Sequence, residues 1–276
     1  MRKISVAVAV IFLFLSNGYC EDRNDITSIR SSKATSAKDL YLDLMKKSLT
    51  NWIYGASENP PMNPQARLER HDQPPIAMTC IGIKRLDNLQ FCVENVLSRK
   101  IPGDLIECGA WRGGATIFMR AILKAYNVND RKVYVADSFE GCPKPDLKKY
   151  PQDKGMDLYQ QDYMFCPIEK TETNFKAFGL LDAQVIFLKG WFKDTLPKAP
   201  IRQLAVLRID ADLYESTMDS LANLYPKLSV GGYVIVDDYG CYNACKNAVQ
   251  DYRKANGIND EIKKIDWTGI YWQKTK

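Results

Sequence analysis

Hydrophobic residues are spaced differently in the two main parts of the chain. Between residues 38 and 100, apolar positions recur every three to four residues in "AKDLYLDLMKKSLTNWIYG" and "IKRLDNLQFCVENVLSRK", which predicts two amphipathic helices. The first helix is predicted to end at Gly55, and the proline-rich "ENPPMNPQ" after it to form a loop. This part of the chain is predicted to be a helical lid in front of the main domain.

Beyond residue 101, short apolar runs alternate with amphipathic segments. Seven runs have the character of strands: "DLIECGA", "KVYVADSF", "QVIFLKG", "LAVLRIDAD", "GGYVIVDDYG", "EIKKIDW" and "TGIYWQK". Helices are predicted in "ATIFMRAILKAY", near residues 167–179, in "STMDSLANLYPKL" and in "NACKNAVQDYRKANG". Nearly continuous apolar strands that alternate with helices are typical of a parallel sheet covered on both faces. The predicted fold class is therefore α/β, with a doubly wound, mostly parallel seven-stranded sheet.

The N-terminal segment has the pattern of a secretory signal peptide over residues 1–20. Two basic residues precede an apolar run from Ile4 to Leu15, and small and polar residues follow it. This run is shorter than the roughly 20 apolar residues that a membrane span requires. We therefore expect entry into the secretory pathway and no stable membrane span, with an uncleaved anchor as the alternative.

The rest of the chain is predicted to form a single domain over residues 38–276, after a polar, flexible leader at residues 21–37. Its α/β core is expected at residues 101–276. Within this core, residues 141–166 form a long polar insertion, and a loop of that length in a compact domain is usually a lid or a binding loop.

Composition excludes several kinds of active site. The 276 residues include a single histidine, His71, in a polar stretch, so a zinc site of several histidines is impossible. A Ser-His-Asp or Cys-His mechanism would have to use this residue, which we expect to have no role. The net charge of +5 is scattered without a basic stripe, so no nucleic-acid partner is expected. Eight dispersed cysteines, one at the edge of the signal, do not form a disulfide framework.

A glycine-rich turn follows the first predicted strand, in "DLIECGAWRGGAT". The strand ends at Glu107, and Gly109, Gly113 and Gly114 lead into a helix whose first amides are free to bind a ligand. The pattern differs from the dinucleotide motif G-x-G-x-x-G. An acid before the first glycine would repel a pyrophosphate but would pair with an ammonium group.

Further residues indicate which ligand this loop would bind. Asp137 ends the second strand, where an acid is placed to accept hydrogen bonds from ribose hydroxyls. A ribose, an amino group and no phosphate match S-adenosylmethionine, and its sulfonium would tolerate the faces of Trp111 and Phe139. A dinucleotide cofactor, and hence a nicotinamide oxidoreductase, is the alternative.

Four aspartates follow two strands that are predicted to be neighbours. Asp210 and Asp212 end "LRIDAD", and Asp237 and Asp238 end "YVIVDDYG". Ligands bind at the carboxyl ends of the strands in such a sheet. Carboxylates crowded there, without a histidine or a thiolate, suit Mg²⁺ or Ca²⁺, whereas helix capping or backbone bonding is the alternative for any one of them.

A cation held by Asp210, Asp237 and Asp238 would supply chemistry that the side chains lack. Coordination lowers the pKa of a hydroxyl, which for water is roughly 15.7. Asp210 or Asp212 is then placed to accept the proton as the general base. These residues predict metal-dependent methyl transfer to an alcohol oxygen.

Several long motifs are similar to the macrocin O-methyltransferase (TylF/MycF) family: "ECGAWRGGATIFMR", "ADSFEG", "GWFKDTLP", "RIDADLYESTMDSL", "LYPKLSVGGYVIVDDYG" and "IDWTGIYW". The resemblance extends from about residue 38 to the end. It implies a Rossmann-like class I methyltransferase that uses S-adenosylmethionine and Mg²⁺ to methylate sugar hydroxyls of macrolides and related compounds. The expected partner is a small hydroxylated acceptor, a sugar or glycoside, while a homo-oligomer is left open.

The resemblance also implies roles for individual residues. The cofactor site would be lined by Glu107, Gly109, Trp111, Arg112, Asp137, Ser138 and Phe139, with Gly190, Trp191 and Phe192 beside the adenine and Thr79 near the methionine end. The metal would be held by Asp210, Asp237 and Asp238, with Asp210 or Asp212 as the base.

The chain departs from the family pattern in two places. It reads "AMTC" at residues 77–80, where family members have a histidine, and it begins with a signal sequence. A secreted, non-catalytic binding protein that retains the fold is therefore a competing interpretation. The intact acids and the intact Glu107 loop argue against it.

Overall fold

The computed structural model describes residues 36–276. The predicted signal peptide and all but the last two residues of the predicted leader lie outside the described residues. Within the described range, no helix is both long enough and apolar enough to cross a membrane.

The fold is built on one seven-stranded sheet, in the order β3-β2-β1-β4-β5-β7-β6. The first five strands are parallel, β7 is antiparallel to β5, and β6 is antiparallel to β7. The strands are β1 Asp104–Cys108, β2 Val133–Asp137, β3 Val185–Lys189, β4 Leu204–Ile209, β5 Leu228–Val236, β6 Lys263–Lys264 and β7 Ile270–Gln273. The predicted fold class, a mostly parallel doubly wound sheet, is confirmed.

Helices precede the sheet and connect its strands. They are α1 Ala37–Leu49, α2 Pro64–Glu69, α3 Gly82–Ser98, α4 Gly114–Ala125, α5 Ile168–Ala177, α6 Phe192–Thr195, α7 Tyr214–Leu224 and α8 Asn243–Ala255. Short 3₁₀ turns occur at Gly55–Ser57, Pro151–Asp153, Asp157–Gln160, Asp162–Met164, Leu196–Lys198 and Tyr225–Lys227.

Two predictions for the N-terminal part were wrong in detail. Helix α1 ends at Leu49 rather than Gly55, because the Thr50 hydroxyl donates to the Lys46 carbonyl (2.8 Å) and Asn51 takes a left-handed conformation with φ of 54°. The proline-rich segment is not entirely loop, since it contains the start of α2. The Asn63 side chain accepts from the Ala66 amide (3.0 Å), and a proline in the first helical position needs no amide partner.

Alternate residues of the strands face two separate hydrophobic layers. On one face, Leu105, Val135 and Val206 pack with the helices α1, α3 and α4. On the other face, Ile106, Leu207 and Val234 pack with α7 and α8. Helices α1 and α3 are both buried in this layer, through residues such as Leu42 and Leu89, so these parts of residues 38–100 belong to the core. A lid function for residues 50–81 stays a prediction.

The insertion at residues 141–166 lies at the carboxyl edge of the sheet. Its Asp153 is completely buried, and its carboxylate accepts from the amides of Tyr214 (2.6 Å) and Glu215 (3.2 Å) at the start of α7. The insertion therefore caps the helix that follows β4, and this bond fixes it beside the turn that carries Asp210 and Asp212.

Candidate functional site

The turn after β1 packs directly against the turn after β4. Gly109 has φ of +91°, and a β-carbon built on it would lie only 1.7 Å from the carbonyl oxygen of Asp210. Only glycine fits this position, because any side chain would collide with that backbone. The glycine allows the predicted cofactor loop to pack against the turn that carries the predicted metal ligands. From the sequence, its role was expected to be close approach of the backbone to a ligand.

A cavity of about 530 Å³ opens at this edge of the sheet. All but one of the predicted cofactor residues line it: Thr79, Glu107, Gly109, Trp111, Arg112, Asp137, Ser138, Gly190, Trp191 and Phe192. The cavity also includes Asp210, Asp212 and residues of the insertion. The structure thus brings the predicted cofactor and acceptor regions into a single space.

Phe139 is the exception. Its side chain is 2% exposed and packs in the core, where its ring lies 6.1 Å from that of Phe187. The ring therefore does not line the cavity, and its predicted contact with the sulfonium stays a prediction. Its contribution comes from the main chain, since its amide donates to Asp137 (2.7 Å).

Asp137 is held in place by backbone amides. One carboxylate oxygen accepts from the Trp111 amide (2.9 Å) and the other from that of Phe139. Burial raises the pKa of this carboxyl, and the amide bonds oppose that rise. The Ser138 hydroxyl also approaches one of these oxygens, at 3.4 Å, and the Ala110 amide contributes a further bond. The carboxylate is thus held rigidly at the cavity, where ribose hydroxyls are predicted to bind.

The cofactor loop after β1 is hydrogen-bonded to two segments beside the cavity, the insertion at residues 141–166 and the stretch at residues 75–77. The Trp111 indole donates to the Tyr163 carbonyl in the insertion (2.8 Å). Arg112 donates to the carbonyls of Pro75 (2.8 Å) and Ala77 (2.9 Å), and its guanidinium lies 4.0 Å from the Trp111 ring centre. Hydrogen bonds from two adjacent residues of the cofactor loop thus reach two separate segments beside the cavity.

The three predicted metal ligands come together. Oxygen atoms of Asp210, Asp237 and Asp238 lie within 4.8 Å of one another. Asp237 and Asp238 are completely buried, whereas Asp210 is partly exposed to the cavity. Three carboxylates in this arrangement present only oxygen ligands, which is the donor set that Mg²⁺ prefers.

Three arginines surround these acids, and sequence analysis did not find them. Arg85 and Arg208 are each 1% exposed, and they donate to opposite oxygens of Asp237. Arg70 lies 3.4 Å from Asp237. Burial alone would raise the pKa of Asp237, but these guanidiniums outweigh it and lower the pKa to about 2.

Asp238 differs from Asp237. Both of its carboxylate oxygens are buried without a hydrogen-bond partner among the described residues. Arg70 lies 3.7 Å from one of them, too far for a hydrogen bond. Burial and the neighbouring aspartates, Asp212 first, raise the pKa of its carboxyl. A buried carboxylate is costly unless it is paired or binds a metal, so the residues present fit a cation bound at this position.

Asp212 lines the cavity in a strained conformation, with φ of 54°. Burial, and then the charge of Asp210, raise the pKa of its carboxyl to about 7. The Cys142 thiol of the insertion lies 3.9 Å from one oxygen. This side chain is therefore a buried carboxylate beside the acceptor wall, the side of the cavity that residues of the insertion and Tyr242 line.

Glu107 completes the charged cluster. Burial raises the pKa of its carboxyl to about 8, although Arg208 opposes this rise. One of its oxygens accepts from Arg208, and the other is buried without a partner in the described part of the chain. Carboxylates outnumber guanidiniums in this cluster: Glu107, Asp210, Asp212, Asp237, Asp238 and Asp266 against Arg70, Arg85 and Arg208. Because a bound cation would favour the charged form of the acids whose pKa is raised, this surplus of carboxyl groups suits cationic ligands.

His71 lies outside the cavity, as do the described cysteines other than Cys80 and Cys142, which line it. His71 is exposed and stacks on Trp267, with ring centres 4.9 Å apart. The seven cysteines in the described residues are free thiols. Tyr163 and Tyr242, which sequence analysis did not single out, line the acceptor side of the cavity.

The strand order, the glycine loop after β1 and the acid that ends β2 define a Rossmann-like methyltransferase of class I. The family model for macrocin O-methyltransferase (TylF) matches residues 31–274. The chain therefore belongs to the macrocin O-methyltransferase family and is an S-adenosylmethionine-dependent O-methyltransferase.

Curated relatives support this assignment. A 4'-O-methyltransferase of a rhamnosyl tetracenomycin from Streptomyces olivaceus is 52% identical over 248 residues, 87% of this chain and 94% of its own. Mycinamicin III 3''-O-methyltransferase from Micromonospora griseorubida is 49% identical over 86% of this chain and 97% of its own. Demethyldecarbamoylnovobiocin O-methyltransferase from Streptomyces niveus is also 49% identical, over 90% of this chain and 98% of its own.

Solved structures show the same fold. The O-methyltransferase NovP is 52% identical, with a TM-score of 0.84 over 87% of this chain and 100% of its own. The calicheamicin methyltransferase CalS11 is 20% identical, with a TM-score of 0.56 over 86% of this chain and 93% of its own, and shares the fold.

Proposed function

We propose that this enzyme requires Mg²⁺ and methylates a hydroxyl group of a sugar in a glycosylated small molecule. The observation that carries the metal requirement is Asp238. Its two buried oxygens have no hydrogen-bond partner among the described residues, and they lie beside Asp210 and Asp237. A divalent cation would give these oxygens the partner that the protein does not supply.

The sugar acceptor is supported by the relatives. The tetracenomycin enzyme is named for a rhamnosyl compound that it methylates at a 4' position, and the mycinamicin enzyme for a 3'' position. The acceptor wall here carries aromatic and polar side chains, among them Tyr163, Tyr242 and Lys144. Such a mixed lining suits a ring that presents hydroxyls at its edge and C–H groups on its faces.

The chain's own residues would divide the work as follows. Glu107, through its unpartnered oxygen, and Asp137 would orient the cofactor, while Trp191 and Phe192 would cover its adenine. S-adenosylmethionine supplies a methyl group on a positively charged sulfur. Asp210, Asp237 and Asp238 would hold Mg²⁺, which lowers the pKa of an acceptor hydroxyl when bound. Asp212 or Asp210 accepts the proton of that hydroxyl, since both carboxylates face the cavity.

The fixed edge of the sheet aligns the two reactants. Since Gly109 contacts the backbone of Asp210, the cofactor loop and the acceptor side cannot move apart independently. Holding donor and acceptor in line is worth several kcal/mol in such reactions, about 7 or more in the best cases. The insertion, fixed by Asp153 and Trp111, forms part of the wall of the same cavity.

The signal sequence leads to a second proposal, that the enzyme enters the secretory pathway and acts on an acceptor found there. It is supported by residues 1–20 alone. Expression of the full chain with a C-terminal tag, followed by N-terminal sequencing of the product, tests it. A product that begins near residue 21 agrees with the proposal, and a cytosolic product that retains Met1 contradicts it.

The test of the main proposal is methyl transfer from labelled S-adenosylmethionine to a panel of acceptors. The panel contains rhamnosylated polyketides, other glycosides and their aglycones, each assayed with Mg²⁺ and with EDTA. We expect turnover on a glycoside that stops in EDTA and returns with added Mg²⁺. Full turnover in EDTA would contradict the metal requirement, and methylation of aglycones alone would contradict the sugar acceptor. Cofactor binding without turnover on any acceptor would favour the binding-protein alternative.

A further inference from the structure

We propose that Arg208 is a positioning residue that holds the cofactor acid and the metal-binding acids in one fixed arrangement. The metal side of this inference rests on the proposed Mg²⁺ requirement, and the cofactor side does not. Arg208 lies in β4, within the motif "LRIDAD", and two residues before Asp210. Residues two apart on a strand share a face, so its side chain lies on the same side as that of Asp210.

The position of Arg208 in the sheet lets it reach both neighbouring strands. It is paired with Glu107 in β1 and with Ile235 in β5. Its side chain is 1% exposed, so no solvent competes for its donors. The strand register thus places one guanidinium between the end of the cofactor strand and the ends of both metal strands.

The contacts of Arg208 join the two subsites. One terminal nitrogen donates to Glu107 and to Asp210, the latter at 3.0 Å. The other terminal nitrogen donates to Asp237. A guanidinium offers several donors in a rigid plane, so these bonds fix the carboxylates relative to one another in a way that a lysine ammonium does not.

The bond to Glu107 also sets what that residue presents to the cofactor. One oxygen of Glu107 is occupied by Arg208, and the other is buried without a partner among the described residues. Because Glu107 lines the cavity, its orientation, set by Arg208, decides where this free oxygen lies. Replacement of the Arg208 guanidinium should therefore weaken cofactor binding, even though Arg208 does not line the cavity.

Arg85 provides a matched control. It is equally buried and donates to the other oxygen of Asp237. Its remaining donors contact Asp266, at 2.7 and 3.0 Å, and Thr268, and it makes no hydrogen bond to Glu107. Both arginines therefore support the metal side, but only Arg208 connects it to the cofactor side.

The experiment compares Arg208→Lys with Arg85→Lys. Both variants keep the positive charge and lose the two terminal nitrogens with which a guanidinium contacts several carboxylates. Calorimetry measures S-adenosylmethionine binding in EDTA, and Mn²⁺ binding in the absence of cofactor. We expect Arg208→Lys to weaken both affinities by about tenfold or more, and Arg85→Lys to weaken only that for Mn²⁺. Cofactor affinity within about twofold of wild type in Arg208→Lys, or an equal loss in both variants, would overturn the inference.

The two arms separate the inference from the proposed function. If the wild-type protein binds cofactor but no Mn²⁺, the metal requirement fails while the cofactor arm still tests the role of Arg208. Thermal unfolding of both variants shows whether either has simply lost its fold.

A third variant covers the case in which Arg208→Lys does not fold. Glu107→Gln weakens the bond between Arg208 and the cofactor strand, so the guanidinium no longer fixes Asp210 and Asp237 in the arrangement that would bind a cation. We expect Mn²⁺ to bind this variant several-fold more weakly, although Glu107 is not one of the proposed ligands. Unchanged Mn²⁺ affinity in Glu107→Gln would overturn the inference.

Discussion

The two halves of the carboxyl edge are built on different principles. Over β1 and β2, the acid Asp137 is held by backbone amides, and the loop shape depends on Gly109. Over β4 and β5, the acids are held by the guanidiniums of Arg85 and Arg208, which are buried, and of Arg70, which is partly exposed. The cofactor half is therefore fixed by backbone geometry, and the metal half by a balance of buried charges.

This difference decides which substitutions are informative. Asp237 is bonded to both Arg85 and Arg208, so its removal would leave two buried guanidiniums without their partner, which is strongly destabilising. Asp238 has no hydrogen bond among the described residues and only a longer ion pair with Arg70 (3.7 Å), which also lies 3.4 Å from Asp237, so its charge can be removed without leaving a guanidinium unpaired. Substitutions at Asp238 test chemistry, whereas substitutions at Asp237 test chemistry and folding together.

The largest effect is expected for Asp238→Asn. The substitution keeps the shape of the side chain and removes one charged ligand, so turnover with Mg²⁺ should fall by more than about 100-fold. Cofactor affinity in EDTA should stay within about twofold, because Asp238 is not among the cavity-lining residues. Thermal unfolding should occur at the same or a higher temperature than in the wild type, since a buried carboxylate without a hydrogen bond has been neutralised. Turnover near the wild-type rate would show that the metal half does not act as described.

Gly109→Ala should affect both halves through the fold. A methyl group would lie 1.7 Å from the Asp210 carbonyl oxygen and would also force an unfavourable backbone conformation. We expect the free energy of unfolding to fall by about 3 kcal/mol or more, measured by denaturant titration. As a control, Gly179→Ala also replaces a glycine of positive φ, but its β-carbon would meet no atom within 4 Å, so only the conformational cost remains. Equal losses in the two variants would contradict the close contact between the two turns.

Asp153→Ala should have an intermediate effect. Loss of the cap on α7 should lower the free energy of unfolding by about 1–2 kcal/mol and raise the KM for the acceptor, because the insertion is no longer fixed. Ser36→Ala is the matched control, since the Ser36 hydroxyl caps α1 by accepting from the Asp39 amide (3.2 Å). It should lower stability and leave the KM unchanged. An unchanged KM in Asp153→Ala would show that this bond does not position the acceptor wall.

The smallest effect is expected for His71→Ala. The imidazole is exposed and contacts Trp267 by stacking, which is worth about 1 kcal/mol or less at such a site. Turnover and cofactor affinity should both remain within about twofold of wild type. A large fall in turnover, with stability unchanged, would mean that the one histidine has a role in the site after all.

Much of the fold follows from local pattern. The strands were predicted because apolar runs end at acids or glycines. The location of the site at the carboxyl edge of the sheet was predicted because ligands bind at the carboxyl ends of parallel strands. The end of α1 was missed because Thr50 and Asn51 stop it through a backbone bond and a left-handed turn, inside a pattern that stays amphipathic. The start of α2 was missed although Asn63 and Pro64 carry a recognisable capping signal.

The site was predictable where it depends on strand ends and not where it depends on distant charges. Asp210, Asp237 and Asp238 follow strands, so their proximity was expected, and it is confirmed. The proximity of Arg208 to these acids could have been predicted in the same way, since it precedes Asp210 by two residues on β4. Arg70 and Arg85 belong to other segments, and their contacts with Asp237 depend on how α2 and α3 pack, which no local pattern specifies.

The most direct test of the account is a count of bound divalent ions. Mn²⁺ binding, followed by its electron paramagnetic resonance signal, should show one ion per chain that Mg²⁺ displaces, and Asp238→Asn should lose it while still binding S-adenosylmethionine. No bound Mn²⁺ in the wild-type protein, together with full methyl transfer in EDTA, would contradict the proposal that a cation completes this site.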